Sequence, residues 1–406
     1  MRGLRFGERA ALLAGLVTVR RLLGRTPFWS RDRMQAWQLD RIKQLVAHAY
    51  HTVPFYRHLY QAASFAPPDL KTWDDFHRLP VVTKDQVIAN YPDRMLAAGF
   101  DRQALIVSRS SGSSGRVLDV AYDAKAMTTY VLAGLRLYQM AFRYRPWHRQ
   151  AYVYTSPYPL NSLLGLYPLY FLSTLTPVPE LIAALQRIRP HLLVCYPSHL
   201  KELVHETRPD DWRRLPLRAV SVNSEMSTQA ERDALAARIG CPVLDEYSSE
   251  ELTRIAAQCR HHTYHIFEDI NYMEVADERG TLVGTNLHNF AMPMIRYLQN
   301  DLGAIADGTC ACGWRFRQLR ALEGRRNDSF VLPSGRTLTS GFLLDATYEF
   351  LLAHRTAVRD FCLVQRAPDE ITLEVVPGAG WGRPVETAIA ARFREFLEPG
   401  VRFAVT

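Results

Sequence analysis

The feature that most constrains the fold is a repeated alternation of short apolar runs with helix-like segments. The runs share a polar turn at their carboxyl end, and they are AYVYTSPY (151–158), HLLVCYPS (191–198), LRAVSVNSE (217–225) and CPVLDEYSS (241–249). Helical patterns lie between them, as over 179–189 and 228–239. This alternation is typical of a parallel α/β sheet, in which ligands bind at the carboxyl ends of the strands. We therefore expect the polar turns to form a site.

A second region, His265 to Ile305, has the alternating runs of antiparallel strands, with a hairpin turn at Glu278–Gly280. A short strand–helix–strand pattern follows Gly324. Because 406 residues are too many for one ordinary core, we expect an α/β protein with two domains. The large domain, over 1–323, would contain parallel sheets and an antiparallel subdomain. The small mobile domain, over 324–406, would be α+β.

Composition and charge limit the function classes. A hydrophobic content of 48% with 22% charged residues is typical of a folded globular protein. The longest apolar stretch, 160–185, contains three prolines, so we expect no transmembrane segment and, without a signal peptide, a cytoplasmic location. The net charge is +8, but the arginines are scattered, and we expect no nucleic-acid partner. A zinc-stabilised basic protein that binds nucleic acid is the alternative from another class.

A Gly/Ser-rich segment, SRSSGSSGR over 108–116, directly follows the strand-like run ALIV. Gly112 and Gly115 free the backbone, so that successive N–H groups can point at phosphate oxygens. Further donors are the side chains of Ser110, Ser111, Ser113, Ser114 and Arg116. The segment lacks the Walker A pattern, and by itself it also fits an ordinary flexible turn.

Three further polar segments follow predicted strands. The first segment is SVNSEMS (221–227), in which the predicted strand ends at Asn223, Ser224 and Glu225. In LDEYSSEEL (244–252), an aromatic ring could stack on a purine and two glutamates could hold Mg²⁺. Asp301, in MIRYLQNDLG, could accept hydrogen bonds from ribose hydroxyls. Each of these segments alone also fits a polar turn or a core ring.

Together and in this order, the segments resemble the adenylate-forming superfamily, and within it the phenylacetate–CoA ligase/CapK-like family. SSGSSGR resembles the phosphate loop, NSE lies where the family frames adenine, YSSEE resembles YGxTE, RYLQNDLG resembles RYxTGDL, and GRRND resembles the GRxDD hinge. The resemblance implies catalytic roles for Glu251 (on Mg²⁺), Arg116 and Arg325, with Asn327 as the pivot. The other implied nucleotide contacts are Asn223, Ser224, Glu225, Tyr247, Ser249, Glu250 and Asp301.

The resemblance implies that domain 1–323 uses ATP and Mg²⁺ to convert a carboxylic acid into an acyl-adenylate. The acyl group would then pass to coenzyme A, a carrier-protein thiol or an amine. We expect the acid pocket along 155–171, lined by Tyr154, Tyr158 and Leu164, and its apolar character favours an aryl or medium acyl acid. The sequence leaves open whether the protein forms a homodimer. The alternative is a degenerate ligase that binds nucleotide without the full reaction.

Three departures from the family pattern affect particular assignments. Ser248 replaces a glycine and Glu250 stands where threonine or serine is usual, so the motif leaves open which glutamate meets Mg²⁺. Asn300 replaces the glycine before Asp301. Lys201 is the last lysine, whereas the family places its adenylation lysine near the C-terminus. The resemblance thus implies either slow adenylation by these 406 residues or a lysine segment beyond Thr406.

Cysteine and histidine spacing predicts a metal site. Cys259-x5-His265 is followed by Cys310-x-Cys312, and thiolate and imidazole ligands favour tetrahedral Zn²⁺ over Mg²⁺ or Ca²⁺. The CapK-like branch has a similar arrangement, which implies a structural zinc ion. His261 and His262 are rival ligands, and ordinary free cysteines beside a histidine-rich loop are the alternative.

Overall fold

The computed structural model describes residues 19–109, 118–154, 157, 162, 165–325, 330–338 and 357–406. Helices precede the first long strands. Their bounds are α1 Arg31–Thr52, α2 Pro54–Ala62, α3 Trp73–His77 and α4 Lys84–Asn90. Ser30 caps α1 by accepting a hydrogen bond from the Arg33 N–H, and Pro54 begins α2 at a position where its missing N–H has no cost.

The strands have the following bounds: β1 Ile106–Arg109, β2 Asp119–Tyr122, β3 Gln150–Tyr154, β4 Leu169–Ser173, β5 Leu192–Cys195, β6 Ala219–Asn223, β7 Val243–Ser249, β8 Thr253–Gln258, β9 Tyr264–Ile266, β10 Asn271–Val275, β11 Thr281–Asn286, β12 Tyr297–Ala306, β13 Gln318–Arg325, β14 Phe330–Val331, β15 Thr337–Leu338, β16 Val358–Ala367, β17 Glu370–Pro377 and β18 Arg402–Val405. Within the described residues, eleven strands form one sheet in the order β10-β11-β12-β13-β9-β8-β7-β6-β5-β3-β4.

The two halves of this sheet confirm the predicted α/β class. Strands β3 to β7 pair in parallel, whereas β7 to β13 pair in antiparallel fashion. The helices that follow β2 and lie between the parallel strands are α5 Ala124–Phe142, α6 Val178–Ile188, α7 Pro197–His205, α8 Pro209–Arg213 and α9 Gln229–Ile239. All parallel strands therefore end at one edge, where the predicted polar turns lie.

Apolar side chains from β3, β5, β6 and β7 enter two separate cores. In β5, Leu192 and Val194 join the core that contains α1 and α5, whereas Leu193 and Cys195 join the core under α6 to α9. This division follows from the two-residue period of a strand, which points alternate side chains to opposite faces. Burial on both faces explains why these strands read as continuous apolar runs rather than as alternating ones.

The smaller sheets lie outside this large one. Strands β1 and β2 form an antiparallel hairpin, as do β14 and β15. Strands β16, β17 and β18 form a three-stranded sheet that packs on α10, Arg383–Arg394, through Leu373, Ile389 and Phe393. The strand–helix–strand content matches the expected α+β pattern, and the domain boundary at 323/324 stays a prediction. Among the described helices, none combines the length and apolarity that crossing a membrane requires.

Two stacked imidazoles lie at the amino edge of the parallel strands, opposite the polar turns. The His148 and His191 rings are 4.3 Å apart and 7° from parallel. His148 Nδ1 accepts a hydrogen bond from the Arg145 N–H, and His191 Nδ1 accepts one from the Arg149 N–H. Burial and, to a smaller extent, the charges of His191, Arg218, Arg145 and Arg149 together lower the pKa of His148 to about 4. At this edge the neutral form of both histidines is therefore favoured near pH 7.

We expect the free energy of unfolding to decrease when the pH falls from 7 to 5. The unfolded chain binds a proton at position 148 below pH 6.5, whereas the folded chain does so only near pH 4, so acid favours unfolding. The contribution of His148 to this decrease should be about 2 kcal/mol. The variant His148→Asn keeps an acceptor for the Arg145 N–H but cannot titrate. Urea unfolding at both pH values should show a smaller decrease for this variant, and an unchanged decrease would contradict the assignment.

Candidate active site and metal centre

The predicted adenine and ribose contacts meet across the sheet. Tyr247, in β7, donates a hydrogen bond from its hydroxyl to Asp301 Oδ2 in β12, over 2.5 Å. The Tyr247 ring is 8% exposed and Asp301 is half-buried. The Tyr247 ring and the Asp301 carboxylate are thus fixed relative to each other. A site that binds a base and its ribose together requires such an arrangement.

The residue before Asp301 explains one departure from the family motif. Asn300 has a φ of 61°, in the left-handed region that glycine adopts without strain. Among residues with a side chain, asparagine is one of those that tolerate this conformation best. Asparagine in place of the motif's glycine is therefore compatible with the left-handed backbone conformation before Asp301.

The polar turn after β6 is held by hydrogen bonds from two neighbouring turns. Glu225 accepts hydrogen bonds from both the N–H and the hydroxyl of Ser198, each over 2.9 Å, at the start of α7. Asn223 Oδ1 accepts hydrogen bonds from the hydroxyls of Ser224, over 2.8 Å, and Tyr154. These bonds fix the side-chain oxygen of Asn223 and so orient the NH2 group of the same side chain as a donor.

Tyrosine rings line the carboxyl ends of β3 and β5. Tyr154 stacks on Tyr152, with centroids 4.0 Å apart and 10° from parallel, and lies 4.4 Å from the Tyr196 ring. Burial raises the pKa of Tyr154 well above its usual value, so its hydroxyl stays protonated and donates to Asn223. The predicted acid-pocket residue Tyr154 therefore contacts the predicted adenine-framing turn. Tyr158 and Leu164, predicted beside it, lie outside the described residues.

The two adjacent glutamates have different partners. Glu250 Oε2 accepts a hydrogen bond from the Ser108 hydroxyl over 2.5 Å. Glu251 is 7% exposed, and its Oε1 accepts a hydrogen bond from the Tyr297 hydroxyl over 2.8 Å. Burial raises the pKa of Glu250, as does the charge of Glu251, while the bond from Ser108 opposes the shift. Ser249 stabilises the turn itself, since its Oγ accepts the Leu252 N–H over 3.1 Å.

Several predicted site residues cannot be compared with the structure. The phosphate-loop residues Ser110, Ser111, Gly112, Ser113, Ser114, Gly115 and Arg116 lie outside the described residues, as do Asn327 and the side chain of Arg325. Their roles stay predictions. The strands on either side of 110–117 are described, and they pair with Ser108 opposite Val120 and Arg109 opposite Asp119.

A buried ion pair that the sequence analysis missed supports β7 next to Tyr247. Glu246 and Arg254 form a salt bridge in which their side chains are 3% and 16% exposed. The Arg254 guanidinium lies over the Tyr138 ring, and at Gly134 an added Cβ would come within 2.6 Å of its Cζ. Burial raises the pKa of Glu246, and the charge of Arg254 opposes that shift. No sequence motif marks this pair, because its partners meet only through the pairing of β7 with β8.

The four predicted metal ligands converge. The ligand atoms of Cys259, His265, Cys310 and Cys312 all lie within 4.8 Å of one another. The Cys259 and Cys310 sulfurs are 3.6 Å apart, and Cys312 Sγ lies 3.2 Å from His265 Nε2. A tetrahedral ion with bonds of about 2.3 Å to sulfur would place two sulfurs about 3.8 Å apart. The donor set and its spacing therefore fit zinc.

Backbone groups complete the surroundings of these sulfurs. The His261 N–H donates to Cys259 Sγ and the Trp314 N–H donates to Cys312 Sγ, each over 3.4 Å. Such N–H donors stabilise a thiolate in the way that second-shell groups support metal ligands. The rival ligands point elsewhere: His262 Nδ1 lies 3.0 Å from Gln229 Nε2, and Arg260 donates to His261. Within the described residues, His265 is the histidine of the cluster.

Comparisons with known proteins agree with this geometry. No protein-family model matches the chain. The phenylacetate-coenzyme A ligases of Aromatoleum evansii, Thermus thermophilus and Escherichia coli K12 are 29%, 28% and 28% identical to it. These alignments cover 75%, 74% and 75% of this chain and 73%, 72% and 74% of the relatives.

Solved structures show the same fold. A 2-hydroxyisobutyryl-CoA ligase in the postadenylation state, in complex with an acyl-AMP, superposes with a TM-score of 0.80 at 22% identity, over 94% of this chain and 87% of that one. An anthranilate CoA ligase in complex with anthranoyl-AMP superposes with a TM-score of 0.54 at 13% identity, over 81% and 70% of the two chains. The resemblance inferred from the motifs is confirmed: the chain is a homologue of the phenylacetate–coenzyme A ligases and has the fold of the adenylate-forming ligases.

Proposed function

We propose that this chain activates a carboxylic acid with ATP and transfers the acyl group from the resulting acyl-adenylate to the thiol of coenzyme A. The observation that carries the proposal is the hydrogen bond between Tyr247 and Asp301. It joins the two motif residues implied on adenine and ribose at the strand edge where α/β sheets bind ligands. The names of the relatives support the same reaction class.

In this reaction, an oxygen of the acid attacks the α-phosphorus of ATP, and the bond to pyrophosphate breaks. Tyr247 would pack against the adenine, and Asp301 would accept hydrogen bonds from the ribose while it also accepts the Tyr247 hydroxyl. Glu251 would hold the Mg²⁺ ion, which neutralises charge on the phosphates. Tyr297 orients the Glu251 carboxylate through one oxygen and leaves the other for the metal. Acyl transfer then forms the C–S bond and releases AMP.

For the acid we propose an aryl or medium acyl carboxylate. Tyr152 and Tyr154 stack at the carboxyl end of β3, and the Tyr196 ring lies against Tyr154 at an angle of 52°. Aromatic walls of this kind suit an aromatic ring. The relatives' name includes phenylacetate, an aryl acid. A carrier-protein thiol or an amine in place of coenzyme A would appear as acyl-adenylate formation without consumption of coenzyme A.

We also propose a structural zinc ion at Cys259, His265, Cys310 and Cys312. Four protein ligands leave no open position for a substrate, which is the pattern of structural rather than catalytic sites. The ion would join the turn after β8 and strand β9 to the segment between β12 and β13.

Exchange of labelled pyrophosphate into ATP tests the proposed activation step. We expect exchange to depend on an added acid and on Mg²⁺, and to be fastest with aryl acids such as phenylacetate or benzoate. Addition of coenzyme A should then yield the thioester. A protein that binds ATP but gives no exchange with any acid of an aryl, medium-chain and short-chain panel would contradict the proposal.

A further inference from the structure

Glu250 is the residue at which this chain departs most clearly from the YGxTE pattern, and the structure shows what its carboxylate contacts. Oε2 accepts a hydrogen bond from Ser108 on β1, and the backbone oxygen of Glu250 accepts one from the Tyr122 hydroxyl on β2. Residue 250 is thus bonded to both strands of the β1–β2 hairpin. Ser108 and Tyr122 are neighbours in that hairpin, since Ser108 pairs with Val120 and Ile106 pairs with Tyr122.

Among the described strands, β1 and β2 pair with each other and not with the large sheet, so the hairpin is attached by buried side chains of β2 and by hydrogen bonds. On the β2 side, the Asn289 amide donates to the Ala121 carbonyl over 2.9 Å. The Ala121 N–H lies 3.3 Å from the Met292 sulfur. The bond from Ser108 to Glu250 extends this anchoring to β1 and to the strand end that leads into segment 110–117.

We propose that Glu250 is a positioning residue that fixes the β1–β2 hairpin, and with it the entry to the predicted phosphate loop, against the carboxyl end of β7. The assignment separates the two adjacent glutamates: Glu251 is left for the metal, and Glu250 acts through Ser108. An ionised carboxylate is a stronger acceptor for the Ser108 hydroxyl than a neutral oxygen would be. A serine or threonine at this position would place its hydroxyl oxygen two carbons closer to the backbone and could not present two carboxylate oxygens.

The inference rests on the proposed function, because the predicted task of the loop is to bind the phosphates of ATP. We expect Glu250→Ala and Ser108→Ala each to raise the KM for ATP by about 10-fold, the lower end of the range for one hydrogen bond to a charged group. The KM for the acid should change much less, since none of the three tyrosines is a partner in the hydrogen bond between Ser108 and Glu250. Glu250→Gln, whose amide oxygen can accept the Ser108 hydroxyl, should recover most of the affinity lost in Glu250→Ala.

The double variant Ser108→Ala/Glu250→Ala supplies the decisive comparison. If the two residues act as one unit, the KM for ATP of the double variant should be no higher than that of Glu250→Ala, because the same hydrogen bond can be removed only once. Two outcomes would overturn the proposal and assign Glu250 a direct role through its charge. The first is that the increases in the KM for ATP are additive in the double variant. The second is that Glu250→Gln raises this KM as much as Glu250→Ala does, while Ser108→Ala leaves it unchanged. Calorimetric titration with a non-hydrolysable ATP analogue gives the same comparison without turnover. Absence of acid-dependent exchange in the parent chain would instead contradict the proposed function.

Discussion

Replacing Cys312 with serine should remove a bound zinc ion and lower the free energy of unfolding by several kcal/mol. The protein purified without chelators should contain near-stoichiometric zinc, held by the four residues whose ligand atoms lie within 4.8 Å of one another. The expected effect is large because structural zinc binds zinc-finger peptides with roughly 10–16 kcal/mol of apparent free energy. Elemental analysis and chemical unfolding measure the two consequences independently.

Cys362→Ser is the matched control, since Cys362 is an exposed cysteine of β16 far from the cluster in sequence. It should keep both the zinc and the stability of the parent protein. A chelator should lower the melting temperature of the parent and of Cys362→Ser but should not lower that of Cys312→Ser further. Metal-free parent protein with unchanged stability would rule the zinc site out.

The metal cluster also shows what sequence spacing can and cannot predict. The pairs Cys259-x5-His265 and Cys310-x-Cys312 mark two candidate half-sites, but spacing alone does not bring them together. The structure does so through sheet order: β13 inserts next to β9, and Gln318 pairs with His265. That pairing brings the turn at Cys310 and Cys312 beside Cys259. Non-local strand pairing of this kind is not encoded in local periodicity.

For the same reason, the sequence marks the motif residues but not the residues that contact them. Tyr247 and Asp301 are recognisable from their motifs, yet the hydrogen bond between them depends on how the chain folds back from β7 to β12. Ser108 and Tyr297 are single polar residues on strands, and nothing in the sequence marks them as the partners of Glu250 and Glu251. The parallel strands were predictable because burial on both faces leaves a strong apolar signal.

Glu251→Gln should lower the rate of acyl-adenylate formation by on the order of 10²–10³-fold, as expected when one preorganised charge is removed from a reacting site. The amide is nearly the same size as the carboxylate and can still accept the Tyr297 hydroxyl, so the buried hydrogen bond and the fold should be retained. The lost negative charge should weaken Mg²⁺ binding. The Mg²⁺ concentration that gives half-maximal exchange should therefore rise, and excess Mg²⁺ should restore part of the rate.

Tyr297→Phe separates the charge of Glu251 from its orientation. This variant removes the hydroxyl that donates to Glu251 over 2.8 Å but leaves the carboxylate in place. A lost hydrogen bond to a charged group costs about 1.5–3 kcal/mol, so the rate should fall about 10- to 100-fold, less than in Glu251→Gln. Glu250→Gln should leave the Mg²⁺ dependence unchanged, because its carboxylate is bonded to Ser108. The opposite result would be that Glu250→Gln raises the Mg²⁺ concentration required while Glu251→Gln does not. In that case Glu250, beside the β1–β2 hairpin, is the metal ligand, and Glu251 is not.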